Sequence, residues 1–388
     1  MESASSLKVS RFVAADPRIV ALNPMASDGV GPSHSCERLV SSMHQNGQNI
    51  SLFVTRNTVS SDQSEIRPAI PPFLNYVPYR VVEDSATLRA EKNFKSTVQV
   101  GDIAWLWPFA SLSVHEDMAR RGIPIILEAI NTRMRVAKDV LDAAYDAFGA
   151  EAGHGITDAR IAIEEAKWDL AAGIFTPSLG TERAASGTRL ETALLSCSYG
   201  TDVTPAVDRP KRATGERVNF IFVGYGSVRK GTHLLLDVWR DMPANYHLTL
   251  VGNLETCLQE RYADLLQSDR VTHTGFVRNI SDHLAQADIF VLPSLEEGDA
   301  LVTYEAANAG LPLAVSEIGG GRLASKTNCA QIFDPYQPDE IRRALQELGE
   351  DAELRHHLGK LARDAVKEFD WSTVAKARCE AIDAFISA

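Results

Sequence analysis

The chain has 388 residues, of which 45% are hydrophobic and 23% are charged, which is enough for about two or three ordinary globular domains. Its net charge of -12 argues against a non-specific nucleic-acid binder, because such proteins neutralise phosphates with Lys and Arg. No apolar stretch reaches the roughly 18 to 20 residues of a membrane span, and the N-terminus lacks the apolar core of a secretory signal, so we expect a cytoplasmic protein with at most peripheral membrane association.

Short apolar segments alternate with helix-like segments along the chain, which predicts parallel sheets covered by helices. In the first half the predicted strands are residues 18–24, 50–56, 73–79, 103–107, 124–130, 173–177 and 193–198. Trp105 and Trp107 alternate along one strand and therefore share a face. Such a pair suits either a carbohydrate-stacking platform or a buried core, and the apolar neighbours favour the core.

The polar stretch 201–217 contains two prolines and many charges, so it is the predicted linker. A second series of predicted strands follows at residues 218–223, 247–251, 271–276, 287–292 and 312–316. Two doubly wound domains of similar size are therefore predicted. A final helix is expected from Trp371 toward Ala388, with Ser372 or Thr373 as its cap.

The five cysteines are an odd number and form no Cys-x-x-Cys pair, so we expect reduced, mostly buried thiols. The sequence also lacks a His-Glu-x-x-His motif, a histidine cluster and an Asp-x-Asp motif, and no metal site is predicted.

Ligands of open α/β sheets bind at the carboxyl ends of the strands, so loops that follow strands are the places to search. The first is FVGYGSVRKG at 222–231, where Gly224 and Gly226 let the backbone approach an anion. Arg229 and Lys230 can neutralise a diphosphate. An ordinary turn with solvent-facing cations explains the same residues.

The second loop, residues 293–310, places Glu297 and Glu305 on either side of a predicted helix start. Backbone amides at such a start have no partner within the helix and can hold phosphate, while the carboxylates can accept hydrogen bonds from sugar hydroxyls. Compensation of the helix dipole is the alternative. The candidate amides are those of Gly298, Asp299, Ala300 and Leu301.

The third loop, residues 23–34, carries Gly29 and Gly31 after the first strand. It can extend over the cleft and bring Ser33 or His34 to a polar substrate, and a short surface turn is the alternative.

With these motifs the chain resembles the retaining nucleotide-sugar glycosyltransferases of family 4. Their fold is α/β of the GT-B type, with two Rossmann-like doubly wound parallel-sheet domains facing a central cleft. The resemblance is carried by RKG with HLLLDVW, by TGFV at 274–277, by the Glu-x7-Glu block and, more loosely, by SYGTD at 198–202 and by FDW at 369–371. It implies an acceptor-side domain of residues 1–205, completed by a helix at about 370–388, and a nucleotide-sugar-binding domain of residues 206–369.

The resemblance also implies roles for individual residues. Lys230, helped by Arg229, binds the donor diphosphate, Glu305 binds the ribose hydroxyls and Glu297 binds the transferred sugar. Val277 lies beside the nucleotide base. The further residues implied at the donor are Gly224, Gly226, Gly298, Asp299, Ala300 and Leu301, and those implied at the acceptor are Gly29, Gly31, Asn131 and Thr132. No cofactor and no metal is expected, and the acceptor is a carbohydrate, a lipid-linked molecule or a small molecule.

Three positions depart from the family pattern. Tyr225 stands where the family often has Arg, and Asp299 stands where an aromatic often follows Glu-Gly, which puts a negative charge near the diphosphate unless it bonds a sugar hydroxyl. Asn131 or Thr132 stands nearest to a histidine of the family, and neither side chain is a base near neutral pH. Glu128 is a candidate polar partner there, or faces water.

These departures leave three hypotheses: a retaining glycosyltransferase, a non-catalytic nucleotide-sugar-binding subunit, and a GT-B nucleotide-sugar epimerase.

Overall fold

The computed structural model describes residues 17–29, 31–59, 63–204 and 216–387. Most of the predicted linker, at 205–215, and the predicted domain boundary at 205–206 lie outside these residues. In the first half the strands are β1 (Ile19–Leu22), β2 (Ala26–Ser27), β3 (Ile50–Val54), β4 (Arg56–Asn57), β5 (Ile66–Pro68), β6 (Ile103–Leu106), β7 (Ile125–Glu128), β8 (Gly173–Thr176) and β9 (Leu194–Ser196). The helices there are α1 (Gly31–Gln45), α2 (Tyr79–Thr97), α3 (Leu112–Arg120), α4 (Met134–Phe148), α5 (Asp158–Leu170) and α6 (Leu179–Ala184).

Seven of these strands form one parallel sheet in the order β5-β3-β1-β6-β7-β8-β9, and β2 pairs with β4 separately. The central strands β1 and β6 are buried along their whole length, as expected for apolar segments covered by helices on both faces. Trp105 and Trp107 are both buried in this core, so the core interpretation is confirmed.

The strand predicted at residues 73–79 is wrong. Proline has no backbone N–H for a strand ladder, and the prolines at 71, 72 and 78 direct this segment elsewhere. Pro72–Leu74 forms a 3-10 helix, and Pro78 is the residue before α2. The edge of the sheet is instead β5, a strand of three residues that the sequence pattern did not reveal.

In the second half the strands are β10 (Val218–Val223), β11 (Tyr246–Val251), β12 (Val271–Gly275), β13 (Ile289–Leu292), β14 (Leu313–Ser316) and β15 (Ala330–Phe333). The helices are α7 (Thr232–Trp239), α8 (Thr256–Arg261), α9 (Ala263–Leu266), α10 (Ser281–Gln286), α11 (Leu301–Asn308), α12 (Glu317–Lys326), α13 (Pro338–Glu350), α14 (Ala352–Ala365) and α15 (Trp371–Ser387). The sheet order is β12-β11-β10-β13-β14-β15, all parallel. This is the doubly wound order, and it reverses between β10 and β13, where ligands of such sheets bind.

Each half contributes a helix to the core of the other. Helix α15 packs on α1 and β9 of the first half, where Trp371 lies against Gly200. Helix α4 of the first half places Leu141 and Phe148 in the core of the second half. The α15 cap differs from the prediction, because the side chain of Asp370, rather than Ser372 or Thr373, accepts the backbone N–H at position 372.

A buried ion pair fixes α15 on the first sheet. The Arg378 guanidinium donates to both carboxylate oxygens of Glu128 at 2.8 and 3.1 Å, and both side chains are fully buried. Trp105 also donates to Glu128. Glu128 therefore does not face water, and that alternative is wrong.

Candidate functional site

The loops at the carboxyl ends of the two sheets touch each other. The backbone N–H of Thr132, after β7, donates to the Glu296 carboxylate at 2.9 Å, and the Thr132 hydroxyl donates to the carbonyl of Glu297 at 3.3 Å. Gly298 lies so close that an added Cβ would be 1.9 Å from the carbonyl oxygen of Ile130. A glycine at position 298 is thus required for this approach of the two halves.

Two cations and two carboxylates meet at this contact, and we call Arg229, Lys230, Glu296 and Glu297 the charged cluster. The Lys230 ammonium donates to Glu297, whose same oxygen accepts from the Ser294 hydroxyl at 3.0 Å. Arg229 donates to the Glu296 carboxylate at 3.1 Å and lies 3.5 Å from that of Glu297.

The charged cluster is largely shielded from water, since the exposed fractions of the side chains are 12% for Lys230 and 8% for Glu297. Burial acts to raise the pKa of Glu297, but the charges of Lys230 and Arg229 outweigh it and hold that pKa below its usual value. Glu297 is therefore ionised at neutral pH. An entering diphosphate would compete with the carboxylates for the two cations.

Two glycines determine the backbone conformation and packing of the loop after β10. Gly224 has a φ of 141°, which favours glycine, and the Lys230 side chain runs beside it. Gly226 packs against Leu254, where a Cβ would lie 2.2 Å from the leucine side chain. Tyr225 is exposed and supplies no positive charge at the position where the family often has Arg.

The backbone before α11 offers free donors beside Glu297. Among the described residues, the four amides that precede or begin this helix donate no hydrogen bond to a protein acceptor. Free amides at a helix start carry partial positive charge and attract anions. These amides belong to Gly298, Asp299, Ala300 and Leu301.

The Asp299 side chain is buried and makes its hydrogen bonds within the protein. Its carboxylate accepts from the Tyr304 hydroxyl at 2.9 Å and from the backbone N–H of Tyr199 at 3.2 Å. Burial raises the pKa of Asp299 to about 7. The raised pKa reduces the negative charge expected near the diphosphate at neutral pH. The carboxylate already has partners within the protein, which disfavours a bond from it to a sugar hydroxyl.

Glu305 lies on α11 and reaches solvent. Its carboxylate makes no hydrogen bond or ion pair with any other described side chain. Protein atoms nevertheless displace much of its water, and this desolvation, followed by the negative charge of Asp202, raises the pKa of Glu305 to about 7. A carboxyl group without a protein partner is suited to a ligand hydroxyl.

The remaining predicted residues lie at different distances from the charged cluster. Asn131 is exposed beside Thr132, so it adjoins the cluster. Val277 follows β12 and is half-buried against the second core. Gly29 and Gly31 are exposed and have φ values of 78° and 57°, but no contact recorded for the described residues joins them to the charged cluster.

Two residues of the site were missed from the sequence. Glu296 links Arg229 to Thr132, and the sequence signal was present, because adjacent carboxylates at 296–297 match adjacent cations at 229–230. Glu255 accepts from the Tyr145 hydroxyl on α4 at 2.5 Å and from the backbone N–H of Val228 at 3.0 Å. No local pattern marks Glu255, since its partners are distant in sequence.

Within the described ranges, no group of three or more His, Cys, Asp or Glu residues is placed to hold a metal ion, and no helix has the length and apolar character needed to cross a membrane. All five cysteines are free thiols, and three of them are buried, as expected.

The family described as glycosyl transferases group 1 matches residues 205–365. A D-inositol 3-phosphate glycosyltransferase of Paenarthrobacter aurescens is 25% identical over 227 residues, which is 50% of this chain and 56% of that protein. The chain spans about half the length of the curated relatives that it matches.

Solved structures match over nearly the whole chain. Sucrose-phosphate synthase from Thermosynechococcus elongatus has a TM-score of 0.70 at 19% identity and covers 96% of this chain and 99% of its own. HepE of Anabaena, solved with UDP and glucose, has a TM-score of 0.64 at 15% identity over 94% of this chain and 99% of its own. At these identities the likeness concerns the fold, which is GT-B as the resemblance implied.

Proposed function

Because residues 205–365 match the family described as glycosyl transferases group 1 and the chain has the GT-B fold, we propose that the protein is a retaining glycosyltransferase. It transfers a hexose-like sugar from a nucleoside diphosphate to an acceptor hydroxyl. The observation that carries the proposal is the charged cluster, in which Lys230 and Glu297 lie beside free amides at the start of α11.

The donor diphosphate takes the place of the carboxylates at Lys230 and Arg229 and accepts hydrogen bonds from the amides of residues 298–301. Glu297, released from Lys230, accepts hydrogen bonds from the sugar. Glu305 accepts hydrogen bonds from the ribose. These roles follow the resemblance. The contacts described above support the proximity of Lys230, Arg229 and Glu297, and none of those contacts joins Glu305 to the charged cluster.

In the transfer step the bond between the anomeric carbon and the leaving phosphate oxygen breaks, and the acceptor oxygen bonds to that carbon on the same face. The acceptor proton passes to the phosphate, and the nucleoside diphosphate leaves. Lys230 and the free amides stabilise the negative charge that develops on the phosphate. The phosphate itself takes the proton because Asn131 and Thr132 are not bases.

A first experiment measures binding of UDP, GDP, ADP and their sugar conjugates by calorimetry, with and without a chelator. UDP has priority because HepE is solved with it. We propose that donor binding needs no metal, so the chelator should have no effect. Lys230→Ala removes a charge-assisted contact worth about 1.5–3 kcal/mol, and the dissociation constant should rise by about 10- to 150-fold.

Lys360→Ala is the matched control, because Lys360 is exposed on α14. Unchanged nucleotide affinity in Lys230→Ala would contradict the assigned diphosphate site. Full transferase activity in a folded Glu305→Ala variant would contradict the role of Glu305.

Two observations favour the non-catalytic alternative: position 225 carries Tyr rather than a cation, and neither residue at 131–132 is a base. Donor binding without transfer or hydrolysis across a broad acceptor panel would support it. An epimerase would leave the nucleotide attached to the altered sugar, so product analysis separates that case.

A further inference from the structure

A cavity of about 590 Å³ adjoins the charged cluster. Its wall is formed by the loops after β6 and β7, by α4 and α5, and by the loop after β10, and it includes Arg229 and Glu296. The volume is within the range of small-molecule sites, about 300–1,000 Å³. The cavity is therefore continuous with the place where the proposed donor phosphate binds.

The wall is mainly apolar. Aliphatic and aromatic side chains of β7, of the loop after it, and of α4 and α5 contribute to it. They include Leu127, Ile130, Met134, Leu141, Ile163 and Trp168.

Several polar groups in the wall already have protein partners. Glu164 accepts the backbone N–H of Met134 at 2.7 Å, and the Lys167 ammonium donates to the carbonyl of Pro108 at 2.8 Å. Burial raises the pKa of Glu164 to about 7 and lowers the pKa of Lys167. A sugar inside this cavity would lose hydrogen bonds to water and find few free groups to replace them, which is unfavourable.

Asn131 differs from these groups. It is exposed, lines the cavity, and its side-chain amide makes no hydrogen bond with any described residue. It follows β7 directly before Thr132, the residue that contacts Glu296. A polar group at this position can orient a single hydroxyl toward the cluster, while the rest of the wall accepts an apolar body.

We propose that the acceptor is an alcohol with an apolar body that occupies this cavity and presents its hydroxyl at Asn131 and Arg229. The proposal rests on the proposed transferase function. The apolar body of the acceptor is of one of two kinds. It is either an aliphatic chain, alkyl or isoprenoid, or an aromatic ring. In either case the transfer step is the same. The acceptor oxygen bonds to the anomeric carbon, and the acceptor proton passes to the leaving phosphate.

The test begins without donor. Binding of 2-naphthol, as the aromatic probe, and of 1-decanol, as the chain probe, is measured by calorimetry beside methyl glucoside as the polar probe. We expect saturable binding of at least one apolar alcohol and none of methyl glucoside. The better probe, mixed with the donor, should give a product that is heavier by one sugar residue in mass spectrometry.

The variant Ile163→Asp places a charge in the cavity wall at a side chain that is 47% exposed, so the fold should tolerate it. It should weaken binding of the apolar alcohol about tenfold or more and leave UDP affinity unchanged. Val136→Asp is the matched control, because Val136 is 36% exposed on neighbouring α4 and is outside the cavity wall.

The two proposals fail in different ways. Nucleotide binding together with no binding of either apolar alcohol, or with equal effects of the two Asp variants, would overturn the acceptor assignment alone. Saturable binding of an apolar alcohol with no nucleotide binding at all would overturn the transferase function and leave only an apolar ligand site.

Discussion

The Arg378 to Glu128 ion pair allows a quantitative prediction of stability. Both side chains are fully buried, and Arg378 also donates to the backbone carbonyls of Cys197 and Ser198. The variant Arg378→Met removes the cation and keeps much of the side-chain volume. It leaves the Glu128 carboxylate buried with Trp105 as its remaining donor.

Removing one partner of a buried ion pair costs about 3–5 kcal/mol, because the other charge is left without compensation. We expect a loss of that size in the free energy of unfolding, since no water reaches either side chain to replace the guanidinium. The double variant Glu128→Gln, Arg378→Met removes both charges and should regain a substantial part of the loss.

Urea unfolding followed by far-ultraviolet circular dichroism provides the assay, with the first transition compared among variants. Lys376→Met is the matched control, because Lys376 lies on the same helix, is exposed, and its 4.0 Å ion pair with Glu380 is also exposed. That control should change stability by less than about 0.5 kcal/mol. A loss below about 1 kcal/mol in Arg378→Met, or a double variant less stable than the single one, would refute the reasoning.

Three further predictions concern the contact between the halves. Burial raises the pKa of Asp299 from 3.8 to about 7, so its stabilising contribution is complete at low pH and is lost as pH rises through that interval. Relative to the wild type, Asp299→Asn should show a flatter pH dependence of the unfolding free energy, and parallel profiles would contradict this. Gly298→Ala should enlarge the radius of gyration in X-ray scattering and weaken UDP binding, because its methyl group would lie 1.9 Å from a carbonyl oxygen of the other half, whereas Gly153→Ala, with nothing within 4 Å, should change neither. Asp370→Ala should lower thermal stability by about 1 kcal/mol through loss of the α15 cap, and an unchanged melting temperature would show that the cap is dispensable.

Most of the structure that could be predicted from the sequence is encoded in short runs of neighbouring residues. Runs such as Ile19–Leu22 and Val218–Val223 are apolar at every or nearly every position, and such runs form buried parallel strands wherever the chain places them. The confirmed doubly wound fold and the resemblance to a GT-B family follow from signals of this local kind. Where a short segment lacked the signal, as in β5 and β15, the strand was missed.

The tertiary structure alone decided which side chains meet. Glu128 and Arg378 are 250 residues apart in sequence, and neither has a local feature that identifies its partner. The sequence placed Asp299 next to the predicted phosphate site, but the side chain bonds Tyr304 and Tyr199 because the chain turns it inward there. The apolar cavity beside the charged cluster arises from α4 and α5 lying next to the loop after β10. A local pattern fixes which residues are apolar or charged, whereas the direction of a side chain and its distant neighbours depend on how separate elements pack.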